Sequence, residues 1–429
     1  MRTSRLIPLL LLALYSLYAL WSAPLVPFHP DESTYLYMSA DFATLLRAPA
    51  ELFWQPEKQT DRRQKYRLLD APLTKTLLGA GLMLTRQTAP PVDWDWGKTW
   101  QQNTHSGALP NPTTLAVARI IVTLLLPISI SLLYLSGYAH GGVASAWGAA
   151  LLLAINGFTL LHARRAMSEG ALFFGVTLFL YLLSRSKTHP LLLGIAAALA
   201  FNAKQSAVGL LPIGLLAVLW DAAPLTGSRK PQWRAALLYV SVFAIITAAL
   251  NPVYWRAPFA TLPDALRVRA ELSAAQTADA LRLNPESVLD TPAKRLLALI
   301  ANLYLLPPAP AEVGNYLSDT APAEARYFAL PFSNSLRGLF AGALLFTLTL
   351  TGLGMMLLRL RHADLAERRA IILFLLAFGM QTTLVLGAFA LPWQRYVTPV
   401  LPFVLLLAAY PLRGIAALGA HLKLQFNRS

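Results

Sequence analysis

The sequence predicts an all-α polytopic membrane protein, and three observations lead to this fold class. Of the 429 residues, 56% are apolar and only 13% are charged, whereas a soluble globular chain typically has about 25% charged residues. The mean hydropathy is +0.50. Apolar runs dominate the chain, and several approach the roughly 20 residues that one membrane-spanning helix needs. A water-soluble enzyme, a disordered chain and a fibrous repeat are therefore excluded.

Ten apolar runs predict about ten transmembrane or half-membrane helices. In chain order they cover residues 6–26, 113–136, 143–161, 170–184, 190–203, 206–220, 235–251, 336–358, 370–390 and 397–416. The first run follows Arg2 and Arg5, which favours a retained helix with a cytoplasmic N-terminus. A cleaved signal peptide is the alternative, because small residues follow near Ser22. The fifth and sixth runs are short, which indicates two half-length helices that meet near Lys204.

Two long polar sections separate these runs. We predict that residues 27–112 form a first outside loop and residues 252–335 a second, within a single integral-membrane domain that spans 1–429. The first section includes an amphipathic stretch near 68–84, which is typical of a helix lying at the membrane surface. The second contains an apolar stretch at 293–306, which we interpret as a surface helix or a re-entrant one.

The charge distribution predicts the orientation in the membrane. The 36 Lys and Arg residues outnumber the 21 Asp and Glu residues, giving a net charge of +15. No base-reading motif accompanies this charge, so we attribute it to cytoplasmic loops that face anionic membrane lipids and not to nucleic acid. The short loops assigned to the inside carry Arg185, Lys187, Arg229, Lys230, Arg234, Arg359, Arg361, Arg368 and Arg369. The sequence thus predicts a multi-pass protein of the inner (plasma) membrane with both termini in the cytoplasm.

Four basic residues oppose this orientation, because they lie in short loops assigned to the outside. They are Arg164, Arg165, Lys204 and Arg395. For each one alone, the alternative is a side chain that reaches toward outer lipid phosphates. Four such residues at one membrane depth instead indicate a shared site for an anionic ligand, and arginine offers a planar fork for phosphate oxygens.

An acidic pair follows the first apolar run in the motif Phe28-His29-Pro30-Asp31-Glu32. Adjacent carboxylates at the outer edge of a membrane are costly unless they are paired. The pair therefore indicates a general base, a metal ligand or a partner for a cation. A helix start is the alternative, since acidic residues are favourable in a first turn. The two interpretations are compatible.

Two further polar motifs lie close to apolar segments. Asp70 and Lys75 flank Pro72, and the alternative for this motif is a loop that enters a surface helix. Glu169 follows Arg165 by four residues, a spacing that also allows a simple ion pair along one helix. Each motif is weak alone, and their common placement on one membrane face makes them informative.

The candidate metal ligands are few. The chain has no cysteine, which excludes disulfides and thiolate metal sites. His29, Asp31, Glu32 and Asp70 are residue types that bind divalent metals. Their spacing is not diagnostic of a metal site, and the outside cations can neutralise a phosphate without a metal. We therefore assign no metal ligand, and a divalent metal cofactor stays open.

Taken in order, these motifs resemble those of the GT-C class of integral-membrane glycosyltransferases. The similarity is to the branch of the dolichyl-phosphate-mannose protein mannosyltransferases and the bacterial aminoarabinose–lipid A transferases, and it covers roughly residues 1–415. The matching positions are Asp31-Glu32 in the first outside loop, Asp70-Ala71-Pro72-Leu73, Arg165 with Glu169, Lys204 between two short helices, and Arg395-Tyr396 with Pro399 and Pro402. Asp70-Ala71 stands where the family more usually has His-Pro.

The resemblance implies a glycosyltransferase that moves a sugar from a polyprenyl-phosphate donor, and no motif distinguishes a hexose, a pentose or an amino sugar. The acceptor would be a lipid-linked glycan, a polysaccharide or a protein at the outer or periplasmic face, and the transfer would invert the sugar carbon. Asp31 would be the base, and Glu32 would orient the acceptor or pair with a cation. The resemblance assigns the donor phosphate to Arg164, Arg165, Lys204 and Arg395, and supporting roles to Asp70, Lys75, Glu169 and Tyr396.

Two other functions stay as alternatives. The first is a membrane transporter or lipid flippase for a polyprenyl-phosphate or glycolipid. Transporters place ionisable residues near the bilayer midplane and often show repeated halves, whereas here the charges cluster at one face and no duplication is evident. The second is a membrane scaffold, which predicts that substitutions of Asp31, Arg165 or Lys204 are tolerated.

Overall fold

A computed structural model describes residues 3–222, 232–312 and 316–414. The predicted inside residues Arg2, Arg229 and Lys230 lie outside the described residues, as does the segment 415–429. The described chain forms these α-helices: α1 (Thr3–Ser22), α2 (Pro30–Ser39), α3 (Asp41–Arg47), α4 (Arg62–Leu69), α5 (Pro72–Leu84), α6 (Trp100–His105), α7 (Pro112–Thr123), α8 (Leu125–Ile155), α9 (Gly157–His162), α10 (Ser168–Leu183), α11 (Pro190–Ala203), α12 (Leu210–Ala222), α13 (Gln232–Leu250), α14 (Pro258–Leu283), α15 (Pro292–Ile300), α16 (Leu317–Phe328), α17 (Gly338–Arg359), α18 (Leu365–Ala388) and α19 (Leu401–Ala409). No strand occurs in these ranges, so the predicted all-α class is confirmed.

Several of these helices have the length and composition of membrane spans. Among the described residues, four stretches are long and apolar enough to cross a bilayer: Pro112–Ile155, Trp233–Leu250, Gly338–Arg359 and Leu365–Ala388. The stretches Leu10–Leu25 and Pro30–Arg47 pass the same test together and are bent by 100° at the break between them. Shorter apolar helices cover Ser168–Leu183, Pro190–Ala203, Gln205–Trp220 and Leu401–Gly414. The total of about ten membrane segments stays a prediction.

Close helix packing brings two helix ends together at the candidate site. The neighbouring helices α10 and α11 are joined by a short connection. A Cβ atom on Gly175 of α10 would lie only 2.6 Å from the Cα of Ala200 of α11, so the two backbones touch. Glu169 lies in the first turn of α10, and Lys204 directly follows α11. The contact therefore places these two side chains next to each other.

The chain leaves the α-helical conformation at Lys204 and at Arg395. Lys204 has an extended backbone (φ −158°, ψ 127°) between α11 and a 3-10 helix at Gln205–Gly209. This confirms the predicted break between two short apolar helices. A second 3-10 helix, Gln394–Val397, carries Arg395 ahead of α19. Both cations thus lie on short non-α segments at helix ends.

The two long polar sections pack against each other. Trp54, Leu68 and Leu69 of the first section form a buried cluster with Val253, Ala265 and Val268 of the second. In the same region the Trp54 indole donates a 2.7 Å hydrogen bond to Asp264 Oδ2 on α14. The apolar stretch predicted at 293–306 is the helix α15, continued by a π-helical turn at Ala301–Leu305. The two polar sections therefore share a small buried core of their own.

Candidate active site

The helix α2 begins with a capping arrangement that fixes Asp31. The imidazole Nδ1 of His29 accepts a hydrogen bond from the Asp31 N–H at 3.1 Å, and the Glu32 carboxylate accepts one from the His29 N–H at 3.1 Å. Each exchange satisfies a backbone donor that a helix start leaves unpaired. The predicted helix start is therefore present, and it holds the acidic pair in a fixed orientation.

Asp31 belongs to an ion cluster built from three distant parts of the chain. Its Oδ2 accepts a hydrogen bond from Arg395 Nη1, and a quarter of its side chain is exposed to solvent. Arg395 Nε lies 2.8 Å from Glu312 Oε2. Arg395 thus sits between two carboxylates. Glu312 is buried and comes from the second long polar section, and the sequence motifs did not single it out.

A second ion pair lies beside this cluster. Lys204 Nζ is 2.6 Å from Glu169 Oε1, and the Glu169 side chain is almost fully buried, whereas 22% of the Lys204 side chain is exposed. Lys204 Nζ also lies 5.5 Å from the ring centroid of Tyr396, the residue after Arg395. Lys204, Tyr396 and Arg395 therefore form one continuous partly exposed surface.

Glu32 points away from this surface, into the protein. Its carboxylate forms a two-pronged pair with Arg119, at 2.8 Å for Nε–Oε1 and 2.7 Å for Nη2–Oε2. Both side chains are almost completely buried. Glu32 also accepts a 2.9 Å hydrogen bond from the Ala166 N–H. Both of its carboxylate oxygens are engaged by protein donors, so Glu32 connects α2 to α7 and to the turn before α10.

Arg164 and Arg165 are buried and bind protein atoms. Arg164 donates to the Leu160 carbonyl, to Ser22 Oγ and to the Tyr327 hydroxyl. Arg165 donates to the carbonyls of two prolines, Pro27 and Pro310. Of the four cations predicted to bind phosphate, these two therefore join α1 and the long polar sections to the turn 163–167. The other two, Lys204 and Arg395, lie at the partly exposed surface.

The motif that contains Asp70 and Lys75 lies at the edge of the site. Burial raises the pKa of Asp70, and the nearby Lys75 and Arg269 offset only part of this effect. Lys75 lines a small cavity of about 40 Å³ together with Asp41 and Arg67. Arg67 binds both oxygens of Asp41, at 2.9 and 2.8 Å. The Asp31 charge also raises the pKa of Asp70, so the motif lies within electrostatic range of Asp31.

Burial shifts the pKa of two groups beside Asp31, His29 and Glu312. It holds the pKa of His29 well below its usual value, and Arg395 and Arg165 lower it further. The imidazole is therefore neutral, and its 3.9 Å approaches to Asp31 and Glu312 are not ion pairs. Burial also raises the pKa of Glu312, which Arg395 opposes.

The acidic groups of the site do not suit a metal ion. Within the three described ranges, no group of three or more His, Asp or Glu side chains is placed to hold one. Asp31 pairs with Arg395, Glu32 with Arg119, and Glu169 with Lys204, so cations already occupy the space in front of these carboxylates. A divalent metal needs several free oxygen or nitrogen ligands that converge on one point. These residues do not provide such a point.

Comparison with known proteins gives a structural match and no sequence match. No protein-family model matches the chain, and no curated protein does. The apo oligosaccharyltransferase of Archaeoglobus fulgidus is similar in structure, with a TM-score of 0.50 and 15% identity, over 98% of this chain and 51% of that one. The oligosaccharyltransferase AglB of the same organism, solved with an inhibitory peptide and a dolichol-phosphate, aligns with a TM-score of 0.49 and 16% identity over 99% and 51%.

The match concerns the fold. This chain spans about half the length of the oligosaccharyltransferases that it matches. The expectation of a GT-C fold, which followed from the motifs, is therefore supported at the level of the class, while the matched structures do not belong to the mannosyltransferase and aminoarabinose-transferase branch. The chain has an all-α fold with several apolar helices, and this fold is similar to that of an archaeal oligosaccharyltransferase.

Proposed function

We propose that the chain is a glycosyltransferase that moves a sugar from a polyprenyl-phosphate donor to a cell-envelope acceptor. The observation that carries this proposal is the partly exposed surface formed by Asp31, Arg395, Tyr396 and Lys204 at the ends of apolar helices. In the proposed arrangement, the phosphate of the donor lipid binds at these helix ends. A carboxylate beside two cations provides what the reaction needs, a proton acceptor and a site for a developing phosphate charge.

The proposed step is a single displacement. The acceptor hydroxyl oxygen attacks the anomeric carbon, and the bond between that carbon and the phosphate oxygen breaks. The electron pair of this bond stays on the polyprenyl phosphate, and the hydroxyl proton passes to Asp31. One displacement inverts the configuration at the sugar carbon. A positioned carboxylate base typically contributes about 10²–10⁴ in rate.

Lys204 and Arg395 act on the leaving group in this scheme. The negative charge on the phosphate grows as the sugar bond breaks, so cations directed at it stabilise the transition state more than the ground state. Both cations are paired with carboxylates, which hold them in position before the donor binds. Arg164 and Arg165 serve as positioning residues, because their buried contacts fix the turn that precedes Glu169.

The finer assignment follows the sequence motifs. Asp31-Glu32, Arg165 with Glu169, Lys204 and Arg395-Tyr396 support the mannosyltransferase and aminoarabinose-transferase branch of the GT-C class. We propose a donor that carries a hexose, a pentose or an amino sugar, and a lipid-linked glycan, a polysaccharide or a protein as acceptor. The site would face the outer or periplasmic side of the plasma membrane, with residues 27–112 and 252–335 outside and both termini in the cytoplasm.

The proposal is tested with purified protein in lipid discs. A panel of polyprenyl-phosphate sugars is supplied with a native envelope extract, and free polyprenyl phosphate is measured. We expect release from one member of the panel, dependent on the extract. If the protein binds a polyprenyl-phosphate sugar but forms no free polyprenyl phosphate, the glycosyltransferase proposal is wrong and a flippase becomes the better interpretation.

Replacement of Lys204 should slow the release of polyprenyl phosphate by about 10²–10³-fold, the typical cost of losing one preorganised group at a developing charge. The single variant Lys204→Met leaves the Glu169 charge buried without its cation and can therefore misfold. The double variant Lys204→Met with Glu169→Gln removes that charge, so a slower reaction in the folded double variant reports on Lys204 itself. Lys294→Met is the control, because Lys294 forms a 2.9 Å pair with Asp290 on an exposed helix. A folded double variant with wild-type turnover would contradict the role of Lys204.

Removal of divalent metals should leave the reaction unchanged. The carboxylates of the site are paired with cations, and no three His, Asp or Glu side chains of the described ranges are grouped so as to hold a metal ion. We therefore expect equal initial rates of polyprenyl phosphate release in EDTA and in buffer that contains Mg²⁺ or Mn²⁺. A loss of activity in EDTA that added Mn²⁺ restores would show that this reasoning is wrong.

A further inference from the structure

One loop of the first polar section is built around alternating acidic and aromatic residues that the proposed reaction does not use. We call residues 93–100, which read Asp-Trp-Asp-Trp-Gly-Lys-Thr-Trp, the Trp96 loop. Its first residue, Asp93, accepts hydrogen bonds from Thr34 Oγ1 at 2.8 Å and from the Tyr66 hydroxyl at 2.7 Å. Because Thr34 lies on α2, this contact attaches the loop to the helix that carries Asp31.

A buried asparagine fixes the rest of the loop. Asn103 Oδ1 accepts a 2.9 Å hydrogen bond from the Asp95 N–H, and Asn103 Nδ2 donates to the carbonyls of Asp95 and Thr99 at 2.9 and 3.1 Å. Asp95 also accepts from the Gly97 N–H at 3.0 Å. A loop held by this many internal bonds needs little further ordering when a ligand binds. The Trp96 loop is therefore a preorganised surface.

The tryptophans of this loop have different environments. Trp94 is 1% exposed and packs among the rings of Phe28, Trp100 and Tyr316. Trp96 is 40% exposed, and its ring centroid lies 6.4 Å from that of His29 and 6.1 Å from that of Tyr316. Trp94 thus belongs to a buried cluster with Phe28 and Tyr316, whereas Trp96 presents its indole at the surface next to His29.

Trp96 is also close to the reacting groups. His29, its neighbour, accepts the hydrogen bond from the Asp31 N–H and lies 3.9 Å from Glu312 Oε2. Within the part of the chain that the structure describes, Glu312 Oε1 and the Tyr316 hydroxyl are buried and make no hydrogen bond. Buried polar groups without partners cost free energy. A ligand with hydroxyl groups would provide the missing partners.

We propose that Trp96 is the stacking surface of an acceptor subsite and that the acceptor is a saccharide. This inference rests on the proposed function and adds the acceptor class to it. The C–H face of a sugar ring carries partial positive charge and packs against the electron-rich face of an indole. The hydroxyl groups at the edge of the same ring match Glu312 and Tyr316. A peptide or a sugar-free lipid does not combine an apolar face with a rim of hydroxyls.

The first test measures binding without catalysis. Envelope glycans are released by mild acid, digested with protease, labelled at the reducing end and passed over the wild-type protein in lipid discs. We expect the wild type to retain labelled glycans and Trp96→Ala to bind them up to about tenfold more weakly, the range that one aromatic contact provides. Trp96→Phe should bind with intermediate strength. The control is Trp255→Ala, because Trp255 is similarly exposed, at 44% against 40% for Trp96, and donates to the Ala248 carbonyl away from this loop.

The second test uses the transfer reaction with treated acceptor pools. A saccharide acceptor survives protease and is destroyed by periodate, which oxidises vicinal diols and cleaves the carbon–carbon bond between them. The proposal is overturned if transfer persists after periodate and stops after protease. Equal glycan retention by the wild type and by folded Trp96→Ala overturns it too, as does a wild type that retains no glycan. If glycan binding depends on Trp96 but no donor is consumed, the saccharide subsite is supported and the proposed glycosyltransferase function is wrong.

Discussion

Replacement of Asp31 by Asn should lower the release of polyprenyl phosphate by about 10²–10⁴-fold, the range that a general base typically contributes. The amide keeps the shape of the carboxylate and can still accept a hydrogen bond from Arg395, but it cannot take a proton from the acceptor. The backbone contact between the Asp31 N–H and His29 Nδ1 is also unaffected. The variant should therefore fold and bind the donor while transfer fails.

The measurement compares donor binding and donor consumption for the same purified variant. Asp279→Asn is the matched control, since Asp279 also pairs with an arginine, Arg282 at 3.2 Å, on the exposed part of α14. Transfer by Asp31→Asn within about threefold of wild type would contradict the assignment of the base. Glu312 would then be tested next with Glu312→Gln, because it is the second carboxylate on Arg395.

The sequence identified the residues of this surface where an unusual residue interrupts an apolar run. Lys204 and Arg395 are detectable because cations are rare in short loops of the kind predicted to lie outside, and the structure places both on breaks between helices. Asp31 stood out as part of an acidic pair at a helix start, and the capping contacts are present. These signals are local, so a single sequence is sufficient to detect them.

Other parts of the site depend on contacts between distant segments. Glu312 lies in a proline-rich stretch with no periodic pattern, and only the fold brings it to Arg395 and His29. Arg164 and Arg165 carry the same local signal as Lys204, yet the fold buries them against backbone carbonyls. Local sequence cannot distinguish a cation that binds a ligand from one that binds the protein. Local sequence also cannot predict which tryptophan of a loop is buried. Trp94 and Trp96 belong to one alternating motif, yet Trp94 is buried and Trp96 is exposed.

Arg119 could have been found from the sequence. It is a lone arginine within the predicted apolar run 113–136, where an ionisable residue needs a partner. The structure supplies that partner as Glu32, and Arg119 also donates to the carbonyls of Pro24 and Val26. The acidic pair is therefore divided, since Asp31 faces the partly exposed surface and Glu32 faces the interior. A substitution of Glu32 should therefore lower the stability of the fold.

Replacement of Glu32 by Gln should destabilise the protein strongly, by about 3–5 kcal/mol, the usual cost of removing one partner from a buried ion pair. The substituted side chain would be neutral, and the Arg119 charge would stay buried with only neutral partners, among them two carbonyls. We expect a lower unfolding temperature in detergent, measured by the intrinsic fluorescence of the protein. Glu367→Gln is the control, because Glu367 also pairs with arginines but is 24% exposed, and it should cause a smaller loss.

A double-mutant cycle separates a positioning role of Glu32 from a direct role in the reaction. Glu32→Gln combined with Arg119→Met removes the unpaired charge, so the double variant should recover much of the stability lost by the single variant. If Glu32 acts mainly through the fold, transfer activity should recover along with the unfolding temperature. If Glu32→Gln instead unfolds at the wild-type temperature and abolishes transfer, Glu32 orients the acceptor, which is one of the two roles that the motif resemblance implies; the other is a pair with a cation. The buried geometry favours the first outcome, because no oxygen of Glu32 faces the surface formed by Asp31, Arg395, Tyr396 and Lys204.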